Sequence, residues 1–432
     1  MVEEFSEDRI VDRRMALARE WDELVEQVQA IEGFEDFLRP PKIEQLLPAA
    51  AGGPVVVVNV SRWRCDALIV ELGGVRAVPL ERLTLDETAR RASTYLAVLH
   101  AAEVALGELV EAEHKVSNAS SRPLIVGYRR AKQRLDAAMA AVDEMLTDLQ
   151  VWMWDVIAGP VLTALGREET PPGEPTSWPR VWWCPTGALT VLPLHTAGHH
   201  ADTGDGPPRT VLDRVVSSYT PTLRALLDAR NRPDQDVEDR MLLVSAGNVD
   251  GQVPLETEAE RELLHGLFRH SLTDLPDKKA TRDVVRSELA KHRWAHFTCH
   301  GDQDLLDPSS GGLWLSDGKL SIADLSAERF HGDFAGLSAC KTAIGGIELL
   351  DEAITLAAAF HYMGYRHVVA TLWSVEQQAA EEIFGSLYQQ IVTDEVLRPE
   401  LAAVALHEAV RALRAKCPES PQIWTPFTHT GP

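Results

Sequence analysis

Cysteine is scarce in this 432-residue chain, with only five, at positions 65, 184, 299, 340 and 417. An odd number scattered so widely excludes the disulfide framework of a small secreted domain and fits a reducing compartment. Positive charge is also short: 42 Lys and Arg stand against 65 Asp and Glu, a formal charge of -23. Such an excess repels phosphate backbones, so nucleic acid is excluded as a direct partner. No window offers the roughly 18 uninterrupted apolar residues of a membrane span, and the first residues, MVEEFSEDRI, are acidic where a secretory leader is basic. The expectation is a cytoplasmic protein with no membrane partner. No self-similarity at a period of roughly 20 to 50 residues appears, which excludes a solenoid. What is present is 45% apolar and 25% charged residues, the balance of a globular protein. The length predicts about two domains.

Residues 7 to 38 carry Ile10, Met15, Leu17, Trp21, Leu24, Val25, Val28 and Ile31 at helical spacing, and Pro40-Pro41 ends the pattern, which predicts an amphipathic helix. Short apolar runs at 54–60, 66–72 and 75–78, the last two joined by Gly73-Gly74, predict a small antiparallel sheet. From Asp86 to about Leu165 few breakers interrupt an alanine-rich text, which favours long helices. The proline-rich stretch GREETPPGEPTSWP at 166–179 reads as a linker. It divides an accessory region, 1–178, of mixed helical and α+β character, from a second domain, 179–432. There, strand-like runs alternate with helical segments, the pattern of an α/β fold with a mainly parallel sheet and helices on both faces. The strands are expected at 181–184, 215–219, 241–245, 293–298, 334–338 and 367–372. The helices are expected at 256–268, 282–291, 351–363, 376–392 and 400–416.

Two of those strands run into reactive side chains. WAHFTCHG ends at His300-Gly301, and FAGLSAC ends at Cys340. In an open parallel sheet functional groups gather beyond the carboxyl ends of the strands, so neighbouring strands would bring Cys340 and His300 to one crevice. A free thiol is only a few per cent thiolate near neutral pH, and an adjacent imidazole takes its proton or pairs with the thiolate. That imidazole then returns a proton to a leaving amine. The backbone N–H groups of Gly301 and Cys340 are the candidate oxyanion donors. The competing reading of either side chain alone is a buried structural residue. Zinc held by His296, Cys299, His300 and Cys340 is a further alternative, although the paired spacing of common zinc sites is missing. No cofactor or metal is expected. His195, His199 and His200 fall in a polar stretch and read as a solvated loop.

The segments HFTCHG at 296–301 and LSACKTAIGG at 337–346, then DEAITLAAAFHYMGYRHVVATLWSV at 351–375, resemble the CHAT-domain family of caspase-like peptidases, relatives of separase, the gingipains and the metacaspases. VWWCPTGALTVLPLHTAG at 181–198, SSYTPTLRALL at 217–227 and WTPFTHTG at 424–431 extend the resemblance over the whole chain after the linker, and it reaches back to 37–70. The resemblance implies a caspase-like fold, with the family's histidine and cysteine falling on His300 and Cys340. It implies a regulated cysteine endopeptidase acting on a protein substrate in a defence or cell-death pathway, with a non-catalytic CHAT scaffold as the alternative. The chain has no tetratricopeptide array such as many members carry, so a separate activator or sensor protein is expected. Acidic pocket candidates for a basic residue before the cut are Asp302, Asp351 and Glu352, with Asp304 and Asp307 nearby. For Asp351 and Glu352 the simpler reading is capping of the helix that follows. Arg209, Arg230 and Arg232 mark polar loops, 199–210 and 228–240, offered as sites of self-cleavage.

Overall fold

The computed structural model describes residues 7–31, 33–34, 37–118, 121–202, 204, 206–233, 237–249, 252, 254–302, 307–339 and 355–432. Contacts divide the chain into two compact units, Met1–Pro48 and Ala49–Pro432. In the first, the amphipathic helix is found as Glu7–Gln29, with Leu17, Trp21 and Leu24 exposed.

The second unit is built on strands β1 (Val55–Asn59), β2 (Asp66–Glu71), β3 (Gly74–Pro79), β4 (Arg180–Pro185), β5 (Val216–Tyr219), β6 (Glu238–Ala246), β7 (Leu272–Pro276), β8 (His292–Cys299), β9 (Gly301–Asp302), β10 (Gly312–Leu315), β11 (Gly318–Ser321), β12 (Phe334–Ser338), β13 (His367–Thr371), β14 (Val392–Thr393), β15 (Val396–Leu397) and β16 (Phe427–Thr430). Eleven of them form one sheet in the order β3-β2-β1-β4-β5-β16-β13-β12-β8-β6-β7. All neighbours pair in parallel except β3 with β2, β2 with β1, and β16 with β13. Because β16 is antiparallel to β13 and parallel to β5, the parallel strands on the two sides of the β16–β13 seam run in opposite directions. The antiparallel strands expected at 54–78 are β1 to β3. They extend the main sheet through β1 on β4, and the proline-rich stretch lies within the same unit.

Alternation along the strands assigns the two faces, since side chains in a strand point to opposite sides in turn. From β8, Ala295, Phe297 and Cys299 join Leu337 and Ala335 of β12 in a core covered by the helices Arg282–Leu289 and Leu356–Met363. Trp294 and Phe334 face the other way, toward the helices Glu258–Leu267, Gln377–Ile391 and Ala402–Lys416. The third core packs the long helices Leu85–Asn118 and Arg122–Met153 against β1, β2 and β4 through Tyr95, Leu99, Leu146, Ile69 and Trp183. By length and composition Leu85–Asn118 could cross a membrane, a point the search for uninterrupted apolar runs passes over. Its buried residues, Tyr95 and Leu99 among them, instead belong to this core.

Several loop assignments change. The histidines expected in a solvated loop are packed: His195 is 5% exposed and its Nδ1 lies 2.9 Å from Tyr219 Oη, while His199 meets Asp155 at 2.9 Å. The run from Pro185 to Thr196 is wound into short 3₁₀ turns that fold its apolar residues into the core, so polarity alone misread it. Arg230 ends the helix Leu223–Asn231 and stacks over Trp182 at 4.6 Å, and Arg232 donates to the Gly364 carbonyl. Arg209, paired with Asp202 at 2.5 Å, remains on an exposed loop. The described cysteines form no disulfide: Cys65, Cys184 and Cys299 are buried and Cys417 is partly so.

Candidate active site

β8 and β12 are parallel neighbours, with Trp294 opposite Phe334 and Thr298 opposite Ser338. Both strands therefore end at the same edge of the sheet. His300 follows β8 directly, half-buried, and its carbonyl accepts a hydrogen bond from the Trp314 amide at 2.8 Å, tying the turn to β10. Gly301 and Asp302 are β9, antiparallel to β10. On β12 the described chain reaches Ala339, 5% exposed, whose carbonyl accepts from Thr371 Oγ1 on β13 at 2.8 Å. Cys340 lies outside the described residues, as do Lys341, Asp304, Asp351 and Glu352. Each strand end is thus fixed by a hydrogen bond from the element beside it.

Of the acidic pocket candidates, Asp302 is engaged: its Oδ2 accepts from Lys319 Nζ at 2.9 Å. Asp307 accepts from Ser309 Oγ at 2.6 Å. The helix expected from Asp351 is described from Leu356, and Thr355 caps it, its hydroxyl accepting from the Ala358 amide at 2.9 Å. A threonine at the N-cap satisfies one of the orphan amides of the first turn, the role the sequence suggested for the acids upstream.

Beneath the two strand ends lies a carboxylate that sequence reading missed. Glu260, on the helix Glu258–Leu267, is 5% exposed and bridges both strands. Its Oε2 accepts from His296 Nε2 at 2.8 Å and from Thr298 Oγ1 on β8, and its Oε1 accepts from Ser338 Oγ on β12 at 2.7 Å. Burial opposes its ionisation, yet His296, Thr298 and Ser338 together outweigh burial and hold its pKa below the ordinary value. A buried carboxylate costs several kcal/mol, roughly, unless donors replace its water. Three of them do so here.

The network continues on the far side of the imidazole, where Tyr388 Oη lies 2.9 Å from His296 Nδ1. Burial keeps the Tyr388 phenol protonated far above its ordinary range, so its hydroxyl is able to donate to Nδ1 while Nε2 carries a proton toward Glu260. Both ring nitrogens are then engaged, which takes His296 out of the alternative zinc set. Gly336 makes room for this contact, because a β-carbon there would come within 2.7 Å of His296 Nδ1 and 2.8 Å of Tyr388 Oη. Little in the sequence points to Glu260. It sits in LETEAEREL, at 255–263, where one acid among several looks like a solvated helix face.

The CHAT domain model matches residues 147–432. No curated protein matches the chain. Two crystal structures of the Saccharomyces cerevisiae separase–securin complex are similar to it, with TM-scores of 0.54 at 11% identity and 0.52 at 10%. Each match covers 90% of this chain but only 30% of the matched chain. At such identities the likeness carries the fold, a caspase-like α/β sheet flanked by helices. With the family model spanning more than half of its length, the chain belongs to the CHAT-domain family.

Proposed function

We propose that the protein is a cysteine endopeptidase in which Cys340 is the nucleophile and His300 its general base. The observation that carries this reading is the register of β8 and β12: Thr298 faces Ser338, and His300 and Cys340 each follow two residues later in sequence. Continued at that register, the two strands would deliver His300 and Cys340 to one edge of the sheet. Membership of the CHAT-domain family supports the same assignment.

In this mechanism His300 takes the thiol proton and the thiolate attacks the scissile carbonyl carbon, forming a C–S bond and an oxyanion. The amides of Gly301 and Cys340 donate to that oxyanion. Collapse of the intermediate breaks the C–N bond as the His300 imidazolium protonates the leaving amine. Water, deprotonated by His300, then hydrolyses the thioester and restores the thiol. No cofactor enters any step. A basic residue before the cut would compete with Lys319 for Asp302.

The proposed substrate is a protein, and a separate activator or inhibitor protein is proposed alongside it. The similar solved structures are complexes of separase with securin, which supports a protein partner here without naming one. A reducing, cytoplasmic setting is proposed from the buried cysteines that form no disulfide.

The test is covalent labelling by thiol-reactive peptidyl probes bearing Arg, Lys, Asp or Leu before the reactive group. Labelling that persists in chelator and disappears in Cys340→Ala and His300→Ala is the expected result. Equal labelling of wild type and Cys340→Ala would overturn the assignment. A folded wild type that no probe labels would favour the non-catalytic scaffold.

A further inference from the structure

We infer that Glu260 is a positioning residue of the proposed peptidase site, holding together the two strand ends from which His300 and Cys340 follow. The inference rests on the reading of that site given above and goes beyond it by assigning a role to a helix outside the dyad motifs. Glu260 accepts from one hydroxyl on each strand, Thr298 on β8 and Ser338 on β12, which are themselves cross-strand partners. The ladder fixes the backbones of the strands. The carboxylate fixes the side chains of the last pair and presses the helix Glu258–Leu267 against both.

Three observations indicate that this carboxylate does more than fill space. Its burial is costly, and apolar residues in place of the whole polar set would cover the strands at less expense. Its orientation is itself secured, because His296 Nε2 donates to the same oxygen as Thr298 while Tyr388 holds the imidazole from behind. Room for that support is left by the absence of a side chain at Gly336. Every residue in the chain of contacts faces one side of the sheet. In β8 this is the row Trp294, His296, Thr298, which His300 continues two residues later in sequence. A misplacement of about 1 Å in a reacting group costs on the order of a hundredfold in rate, so a device that sets the spacing of two strand ends is worth its burial cost.

The substitutions Glu260→Gln, Glu260→Leu and Ser338→Ala separate positioning from bulk stability. A glutamine can still accept from His296 and Thr298 and donate to the Ser338 hydroxyl, whereas leucine fills the space and makes none of these bonds. The readout is labelling of the full chain by the best peptidyl probe, resolved into the probe's binding constant and its first-order inactivation constant. Each is normalised to the folded fraction from near-ultraviolet circular dichroism. The expected result is inactivation within about threefold of wild type for Glu260→Gln, and slower by about tenfold or more for Glu260→Leu, with probe binding unchanged in both. Ser338→Ala slows inactivation by a smaller factor. Wild-type constants per folded molecule in Glu260→Leu and Ser338→Ala would overturn the positioning role while leaving the dyad intact. A folded wild type that no probe labels would overturn the peptidase reading, and this inference with it.

Discussion

Thr371 on β13 donates its hydroxyl to the carbonyl of Ala339, the last described residue of the β12 strand end, at 2.8 Å. Thr371 is 1% exposed, so this bond forms in a dry setting where a carbonyl that loses a donor pays a desolvation cost. Thr371→Val keeps the shape and removes the donor. The expected loss is about 1 kcal/mol in urea unfolding with an unchanged m-value, together with slower probe labelling. Unchanged labelling would mean that this bond does not set the strand end.

Gly336→Ala brings a β-carbon against His296 Nδ1 and Tyr388 Oη. Overpacking of this kind costs roughly 1 to 3 kcal/mol. Adding Tyr388→Phe removes one of the two nearest atoms met, so the double variant should recover part of the loss. The two losses adding in full would show that the contact is not the source of the cost.

Acid should destabilise the protein from near neutrality. Burial pulls His195, His200 and His361 down to about 4, and His367 and His407 to about 3. These side chains stay neutral in the fold, whereas in the unfolded chain they take up protons below pH about 6.5. The unfolded state then binds more protons, so stability is present above about 6.5 and is lost as pH falls toward the folded values. Each histidine costs up to about 2 kcal/mol by pH 5, before any allowance for residual structure in the unfolded chain. Urea midpoints between pH 8 and 5 measure the slope. In His407→Leu the slope should fall by about one proton, and an unaltered slope would remove His407 from the account.

Asp302 and Lys319 give a specificity test. Lys319→Met removes the ammonium that now occupies the Asp302 carboxylate. If Asp302 reads the residue before the cut, probes with Arg or Lys there should label faster relative to the Leu probe, and Asp302→Asn should erase the difference. Equal effects on all four probes would assign Asp302 to the β9–β10–β11 sheet alone.

The strands that frame the site were legible because they are uninterrupted runs, buried at all but one position each. The run predicted at 334–338 is β12 itself, and that at 293–298 lies inside β8. Edge and seam strands were not. β7, LTDLP, pairs with β6 alone in the sheet and is half-polar. β16, FTHT, has two threonines and a histidine yet is buried throughout, because its polar atoms find partners across the sheet, as His429 does with Ser218 at 2.8 Å. No local pattern announces a polar strand whose partners lie 58 to 211 residues away.

The sequence by itself determined the family, the alternation of strands and helices after residue 179, and the two motifs that hold His300 and Cys340. These are local properties: apolar periodicity, strand-end glycines and short reactive motifs. Only the tertiary structure decided that β8 and β12 are parallel neighbours in register, that β1 to β3 extend the same sheet, and that Asp302 meets Lys319. It also singled out Glu260. A carboxylate in an acidic helix has no special standing until folding strips away its water and brings Thr298, Ser338 and His296 to replace it.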